Sequence, residues 1–204
     1  MKIVSLKNTK KSQPNLFKAT MDDDKVFELH ADAIVEYGIS VGDELDEHMF
    51  MSALQKTEWL AACANAVNFL SRQLKTKKQL QTYLYKKGYS ADTVNKLVDK
   101  MTDYNLVNDE NYAKTYSASL QKSKSKMYIK NKLREAGVKN EIIDESVEDI
   151  DDRNTASRIV EKYFLSHPAD QKSIEKLIRH LQYKGYTWDT INFVLKNYKE
   201  DICE

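Results

Sequence analysis

Glycine, proline and cysteine are all scarce in this chain. Its 204 residues include 5 Gly, 2 Pro and 2 Cys. So little Gly and Pro argues against a turn-rich β fold and for helices joined by short connections. No two glycines stand at the spacing of a Walker A loop or a dinucleotide-binding fingerprint, so no nucleotide cofactor is expected. Cys63 falls in an apolar helical stretch and is expected in the core, and Cys203 stands near an end expected to fray. Neither suggests a disulfide framework, which points to a reducing cytosol. There is no run of 18 apolar residues, and charges from Lys2 onward rule against a signal peptide, so no membrane partner is expected. The four histidines, His30, His48, His167 and His180, lack the paired helical spacing of zinc proteases, and Cys-x-x-Cys does not occur. No serine or cysteine nucleophile sits in a recognisable motif with a histidine. No catalytic, metal or cofactor-binding residue is therefore assigned. The chain reads as a binding protein, not an enzyme.

What is present is a repeat. Leu80 to Gly88-Tyr89, Ile129 to Gly137-Val138 and Leu177 to Gly185-Tyr186 share one pattern. An aliphatic residue stands eight and four positions before each glycine, and an apolar residue follows it. Spacing of four puts both aliphatics on one helix face. The glycine suits the left-handed position just past a helix end. Apolar residues resume six and ten positions later, at Val94 and Val98, Ile143 and Val147, Ile191 and Leu195. That is a second helix after a turn. The glycines are 49 and 48 residues apart, the mark of tandem units stacked on one another.

The first 48 residues differ. Segments 3–6, 16–21 and 25–30 read as short strands, with Asp22-Asp23-Asp24 as a hairpin turn. A solvated turn accounts for the three aspartates better than a cation site, because calcium loops space their ligands along a longer loop. A long helical segment runs from Asp46 to about Leu74. Thr76-Lys77-Lys78-Gln79 has the form of a capping box, and Asn108 and Ser125 are placed to cap later helices. The expected architecture is mainly α: three tandem three-helix repeats in an elongated stack behind a small β-containing unit. The boundaries fall at 1–48, 49–107, 108–150 and 151–204, and a monomer is expected because no heptad seam runs through the chain.

The formal net charge is +1, yet residues 69–140 hold 16 Lys and Arg against 6 Asp and Glu. Arg72, Lys75, Lys77, Lys78, Lys86 and Lys87 gather around the middle helix of repeat one. Lys122, Lys124, Lys126, Lys130, Lys132 and Arg134 do so in repeat two. Two clusters at repeat-equivalent places suit a phosphate backbone or an acidic protein groove. Tyr83, Tyr85 and Tyr128 are interleaved with them and could stack on bases, although each taken singly suits a core or rim role better. His180 reads as a surface position, since Tyr83 and Lys132 are its counterparts.

Phe69-Leu70-Ser71-Arg72, Leu80 to Tyr89, Leu106 to Ala113 and Ile129 to Val138 together resemble the RecX family of bacterial recombinase regulators. With the third copy the resemblance covers about residues 60–198. The junction Leu106 to Ala113 is its most specific element, and the N-terminal part is similar to the longer Gram-positive members. Gln79 stands where Glu is frequent, and Ser125 where Gly is frequent. The resemblance implies a non-enzymatic, cytoplasmic protein that binds RecA and its filament on single-stranded DNA and limits RecA activity in recombination and the SOS response. Direct DNA contact is also implied for some members. The competing reading is a DNA-binding helix-turn-helix regulator. It is weakened because the third helix of repeat two is acidic.

Overall fold

In the computed structural model, residues 2–10 and 13–203 are described, with side chains for 2–9 and 15–198. Three strands open the chain: β1 (Ile3–Lys10), β2 (Gln13–Met21) and β3 (Val26–His30). They form one antiparallel sheet in the order β1-β2-β3. The hairpin between β2 and β3 turns at Asp24, with φ of 62°, a conformation that aspartate tolerates.

Ten helices follow among the described residues. They are α1 (Ala31–Glu36), α2 (Glu47–Leu70), α3 (Lys77–Lys86), α4 (Ala91–Asp103), α5 (Asp109–Leu120), α6 (Lys126–Glu135), α7 (Asn140–Ser146), α8 (Asp152–Phe164), α9 (Gln171–Tyr183) and α10 (Trp188–Cys203). The side chain of Cys203 lies outside the described residues. The chain divides into two compact units, one of Met1–Gln73 with Leu80–Tyr104, the other of Leu74–Gln79 with Asn105–Glu204.

In the first unit the sheet buries Ile3, Ala19, Met21 and Leu29 against Phe50 and Ala53 of α2. The same helix, further on, buries Ala62 and Ala66. Its small residues allow close helix approach. Asn65 donates to the Tyr89 hydroxyl at 2.8 Å and accepts from that of Tyr83 at 3.3 Å. Cys63 is half-buried, not enclosed as the sequence led us to expect, and burial pushes its thiol above the ordinary value. Its flank of α2 is only partly covered.

The second unit holds two cores of like composition. One gathers Ala113, Ile129, Leu133, Val138, Ile143 and Val147. The other gathers Ala156, Val160, Leu177, Leu181, Tyr186, Ile191 and Val194. The aliphatic pairs read from the repeat are fully buried in all three copies: Leu80 with Leu84, Ile129 with Leu133, Leu177 with Leu181. The glycine that follows each pair has φ near +88° (Gly88), +87° (Gly137) and +89° (Gly185), so its lack of Cβ is used in full. The third helix of repeat two is shorter than its apolar stripe suggests. α7 ends at Ser146, and Val147 and Ile150 reach the core from the turn beyond it. Glu145, Glu148 and Asp149 bring negative charge to that end, where the helix dipole disfavours it.

Candidate partner-binding surface

The capping residues set how the basic segments are held. Thr76 accepts from the Gln79 amide at 3.2 Å, and the Gln79 side chain accepts from the Thr76 amide at 3.1 Å, closing a capping box. The Thr76 hydroxyl then donates to the Ala136 carbonyl at 2.6 Å. One residue later in sequence, the Lys77 amide donates to the Asp109 carboxylate at 2.9 Å. The next repeat copies this. Ser125 accepts from the Tyr128 amide at 3.1 Å and donates to the Gly185 carbonyl at 2.6 Å. The Lys126 amide donates to the Asp152 carboxylate at 2.7 Å.

Each joint thus seats the start of one middle helix on the glycine turn of the next repeat, with an acid from that repeat's first helix as a second cap. Thr76 and Ser125 are both fully buried, so each hydroxyl must be satisfied, and each uses its donor and an acceptor position. Burial raises the Asp152 pKa above the ordinary carboxylate value, while the Lys126 amide and charge oppose the rise. Close approach at the joints requires glycine. A Cβ on Gly137 would meet the Lys78 stem, and one on Gly185 would meet Ser125 Oγ at 2.7 Å. At Gly88, where no earlier repeat docks, a Cβ would meet nothing within 4 Å.

The basic residues are distributed between the two units. Arg72, Lys86 and Lys87 lie exposed in the first, with the Lys87 ammonium 5.7 Å from the centre of the Tyr83 ring. Tyr83 itself stacks on Phe69 at 4.2 Å, so that ring is taken up in packing. Tyr85 is 47% exposed. In the second unit, Lys75 is half-buried and Lys77 and Lys78 are exposed at the joint. The structure therefore brings Lys77 and Lys78 of the first cluster to the joint at the turn that follows Arg134, the end of the second.

The second cluster is largely engaged internally. Lys130 pairs with Asp144 at 2.5 Å and holds that carboxyl below the usual range. Lys132 pairs with Glu135 at 2.6 Å, which raises the lysine pKa. The Lys126 ammonium donates to the Glu148 carbonyl at 3.1 Å. Arg134 donates to Asn140 at 3.1 Å and to Asn131 at 3.0 Å. Lys124 sits over two rings, 4.4 Å from the centre of Tyr128 and 4.7 Å from that of Tyr183. Lys122 remains exposed on the turn between α5 and α6.

Four further residues join Lys122 around one cavity: Arg158 and Lys162 of α8, His180 of α9, and Lys184 beyond it. Arg158, Lys162 and Lys184 escaped the sequence reading because residues 141–204 are acidic on balance, with 9 Lys and Arg against 14 Asp and Glu. The available signal was the spacing of four in each pair, which stacks both members on one helix face. His180 is exposed, as its repeat counterparts suggested.

Among the described residues, no group of three or more His, Cys, Asp or Glu could hold a metal ion. No described helix is long and apolar enough to cross a membrane.

Three family models match in chain order. The RecX first three-helix domain matches residues 62–101, the second 108–147 and the third 151–195. A protein named Regulatory protein RecX from Clostridium botulinum is 29% identical over 193 residues, covering 91% of this chain and 90% of its own length. Its namesake from Clostridium perfringens is 28% identical, covering 96% and 95%. The one from Bacillus velezensis is 25% identical over 96% of this chain and 77% of its own. A crystal structure of regulatory protein RecX superposes with a TM-score of 0.63 at 19% identity, covering 96% of this chain and 98% of the other. That of RecX from Lactobacillus salivarius gives 0.59 at 24% identity over 69% and 96%. At these identities the structural likeness speaks for the fold.

Proposed function

The chain belongs to the RecX family, and from that premise we propose that it is a regulatory protein that binds RecA and the RecA filament on single-stranded DNA. Bound there, it lowers ATP hydrolysis, strand exchange and co-protease activity, without catalysis of its own. The observation that carries this reading is the ordered match of all three three-helix domains, joined to relatives that bear the name of a regulatory protein along most of their length. Residues 1–48, 49–107, 108–150 and 151–204 are its functional modules in this reading.

The exposed cations Arg72, Lys77, Lys78, Lys86, Lys87 and Lys122 are the contacts we assign to the acidic filament surface. Lys126, Lys130, Lys132 and Arg134 hold the repeat's own surface through the bonds above, Lys124 lies over the Tyr128 and Tyr183 rings, and Lys75 is half-buried. An unpaired surface cation contributes little to stability, so its removal reads on binding and not on folding. A helix-turn-helix reading would give the third helix of a repeat to the major groove. α7 suits that role poorly: in seven residues it carries Glu141, Asp144 and Glu145 and no lysine or arginine.

The test is co-sedimentation with RecA filaments assembled on single-stranded DNA. The parent should bind, and Arg72→Glu/Lys86→Glu/Lys87→Glu should keep its helical circular dichroism and lose binding. A parent that stays in the supernatant contradicts the family reading. A folded triple variant that binds like the parent removes these cations from it.

A further inference from the structure

We propose that the cavity between the α5–α6 turn and helices α8 and α9 is a site for a small molecule with linked phosphates, a free nucleoside di- or triphosphate, held by Lys122, Arg158, Lys162 and Lys184. The cavity measures about 420 Å³, within the range of small-ligand sites, and lies wholly inside the second compact unit. No acidic residue lines it, although residues 141–204 hold 14 Asp and Glu. Lys122, Arg158 and Lys162 take part in none of the ion pairs between described residues. Arg158 and Lys162 stand one helical turn apart on α8 and so share a face.

The joint between repeats does not need these cations. Counted from the capping acids Asp109 and Asp152, α5 has Thr115 and Ser119 where α8 has Arg158 and Lys162. The count keeps the two cores in step, since Ala113 and Ser117 are buried as Ala156 and Val160 are. Counted from the glycines, Ala136 stands where Lys184 does, and counted from Thr76 and Ser125, Gln73 stands where Lys122 does. All four counterparts are uncharged, yet Thr76 docks on Ala136 much as Ser125 docks on Gly185. One joint is built without the charges, so at the other they are free to serve a ligand. They also sit on a fixed frame. Lys184 donates to the Ser123 carbonyl at 3.0 Å, the Ser125 amide to the Lys184 carbonyl at 3.1 Å, and Thr155 to the Gln121 carbonyl at 3.2 Å.

Linked phosphates fit this arrangement better than a lone phosphate or a strand. Four cations converge on one cavity. A single phosphate group brings at most about two charges, and a strand spreads one charge per nucleotide along its length. Linked phosphates put a charge on every phosphorus within the span of one ligand. The chain has no Walker A loop, so lysine point charges and the Arg158 fork take the place of backbone amides. Ile159 and the Tyr163 ring line the same cavity and offer an apolar surface to the base. Burial, then Lys184 and Lys124, lower the His180 pKa, so at neutral pH its imidazole is an uncharged hydrogen-bonding group beside the phosphates. Burial and Lys124 likewise lower that of Lys184, and an anion offsets both effects.

Filling this site needs no RecA, so its failure would leave the filament reading standing. The probe is adenosine triphosphate, titrated into the full chain by isothermal calorimetry at fixed ionic strength. It should bind, and inorganic phosphate at equal phosphate concentration should bind at least about tenfold more weakly. Arg158→Gln/Lys162→Gln should keep its helical circular dichroism and weaken triphosphate binding roughly tenfold. Lys172→Gln/Lys176→Gln removes the same charge from α9 at residues outside the cavity lining, and should bind as the parent does. By NMR, the His180 imidazole should titrate at higher pH with the triphosphate bound than without. Absence of binding, equal losses in the two variants, or inorganic phosphate binding as well as the triphosphate would overturn the site. Sodium tripolyphosphate should bind more weakly, since it has no base, and equal binding would refute the nucleotide. If Arg158→Gln/Lys162→Gln loses an oligothymidylate but keeps the triphosphate, the cavity belongs to a strand and the proposal fails.

Discussion

Gly137→Ala tests the joint between repeats more sharply than any other single change. Gly88 and Gly137 have nearly the same backbone, φ of 88° and 87°. A left-handed alanine costs about 1–2 kcal/mol at either place. At Gly88 nothing lies within 4 Å of the new Cβ, so the cost ends there. At Gly137 the new atom would stand 2.5 Å from Lys78 Cβ. Lys78 Cβ is fixed to the α3 backbone and cannot swing aside as an ammonium could. The joint must open, and with it go the Thr76–Ala136 and Lys77–Asp109 hydrogen bonds. At roughly 1 kcal/mol each, they bring the expected cost of Gly137→Ala to about 3–4 kcal/mol. Lys78→Gly removes the obstructing stem. In that background Gly137→Ala should fall back to about 1–2 kcal/mol, a coupling of about 2 kcal/mol. Urea unfolding followed by helical circular dichroism, with slopes compared, measures all four corners of the cycle. If Gly137→Ala costs the same with and without the Lys78 stem, or no more than Gly88→Ala, the docked joint is refuted.

Other consequences follow from the same contacts. Leu84→Ala, Leu133→Ala and Leu181→Ala each empty a fully buried site and should cost about 2–5 kcal/mol in thermal or urea melts. Asp109→Ala and Asp152→Ala each remove a cap on the preceding repeat and should cost about 1 kcal/mol, whereas the Asn variants keep an accepting oxygen and should recover most of it. The Asp144 carboxyl, lowered by Lys130, should titrate below 3.8 by NMR and return toward that value in Lys130→Ala. Because its folded pKa lies below the unfolded one, the pair's contribution is present above the unfolded value and lost as pH falls through the folded one.

The repeat was legible in the sequence because its determinants are local. Leu84 and Leu133 lie four residues before a glycine, and helix geometry alone puts both on the covered face. Thr76 with Gln79, Asn108 and Ser125 likewise reach partners within one turn, and each caps as its position suggests. The joints were not legible, because Asp109 and Asp152 bond to amides 32 and 26 residues away. Nothing in their local spacing distinguishes them from ordinary first-turn acids. The basic centre was visible as composition but not as a surface. Asp144, counted with the acidic third helix, in fact takes up Lys130, and Glu135 takes up Lys132. The cavity around Arg158 and Lys184 stayed hidden for the opposite reason: its cations are drawn into one place from a segment whose acids outnumber them.

The central claim is that this chain restrains RecA. It is measured most directly by the rate of ATP hydrolysis by a cognate RecA on single-stranded DNA, titrated with the full-length protein. The account predicts that near-stoichiometric or lower amounts depress the rate and shorten the filaments. A rate that stays constant across a wide titration, with the protein folded and RecA active, would contradict it.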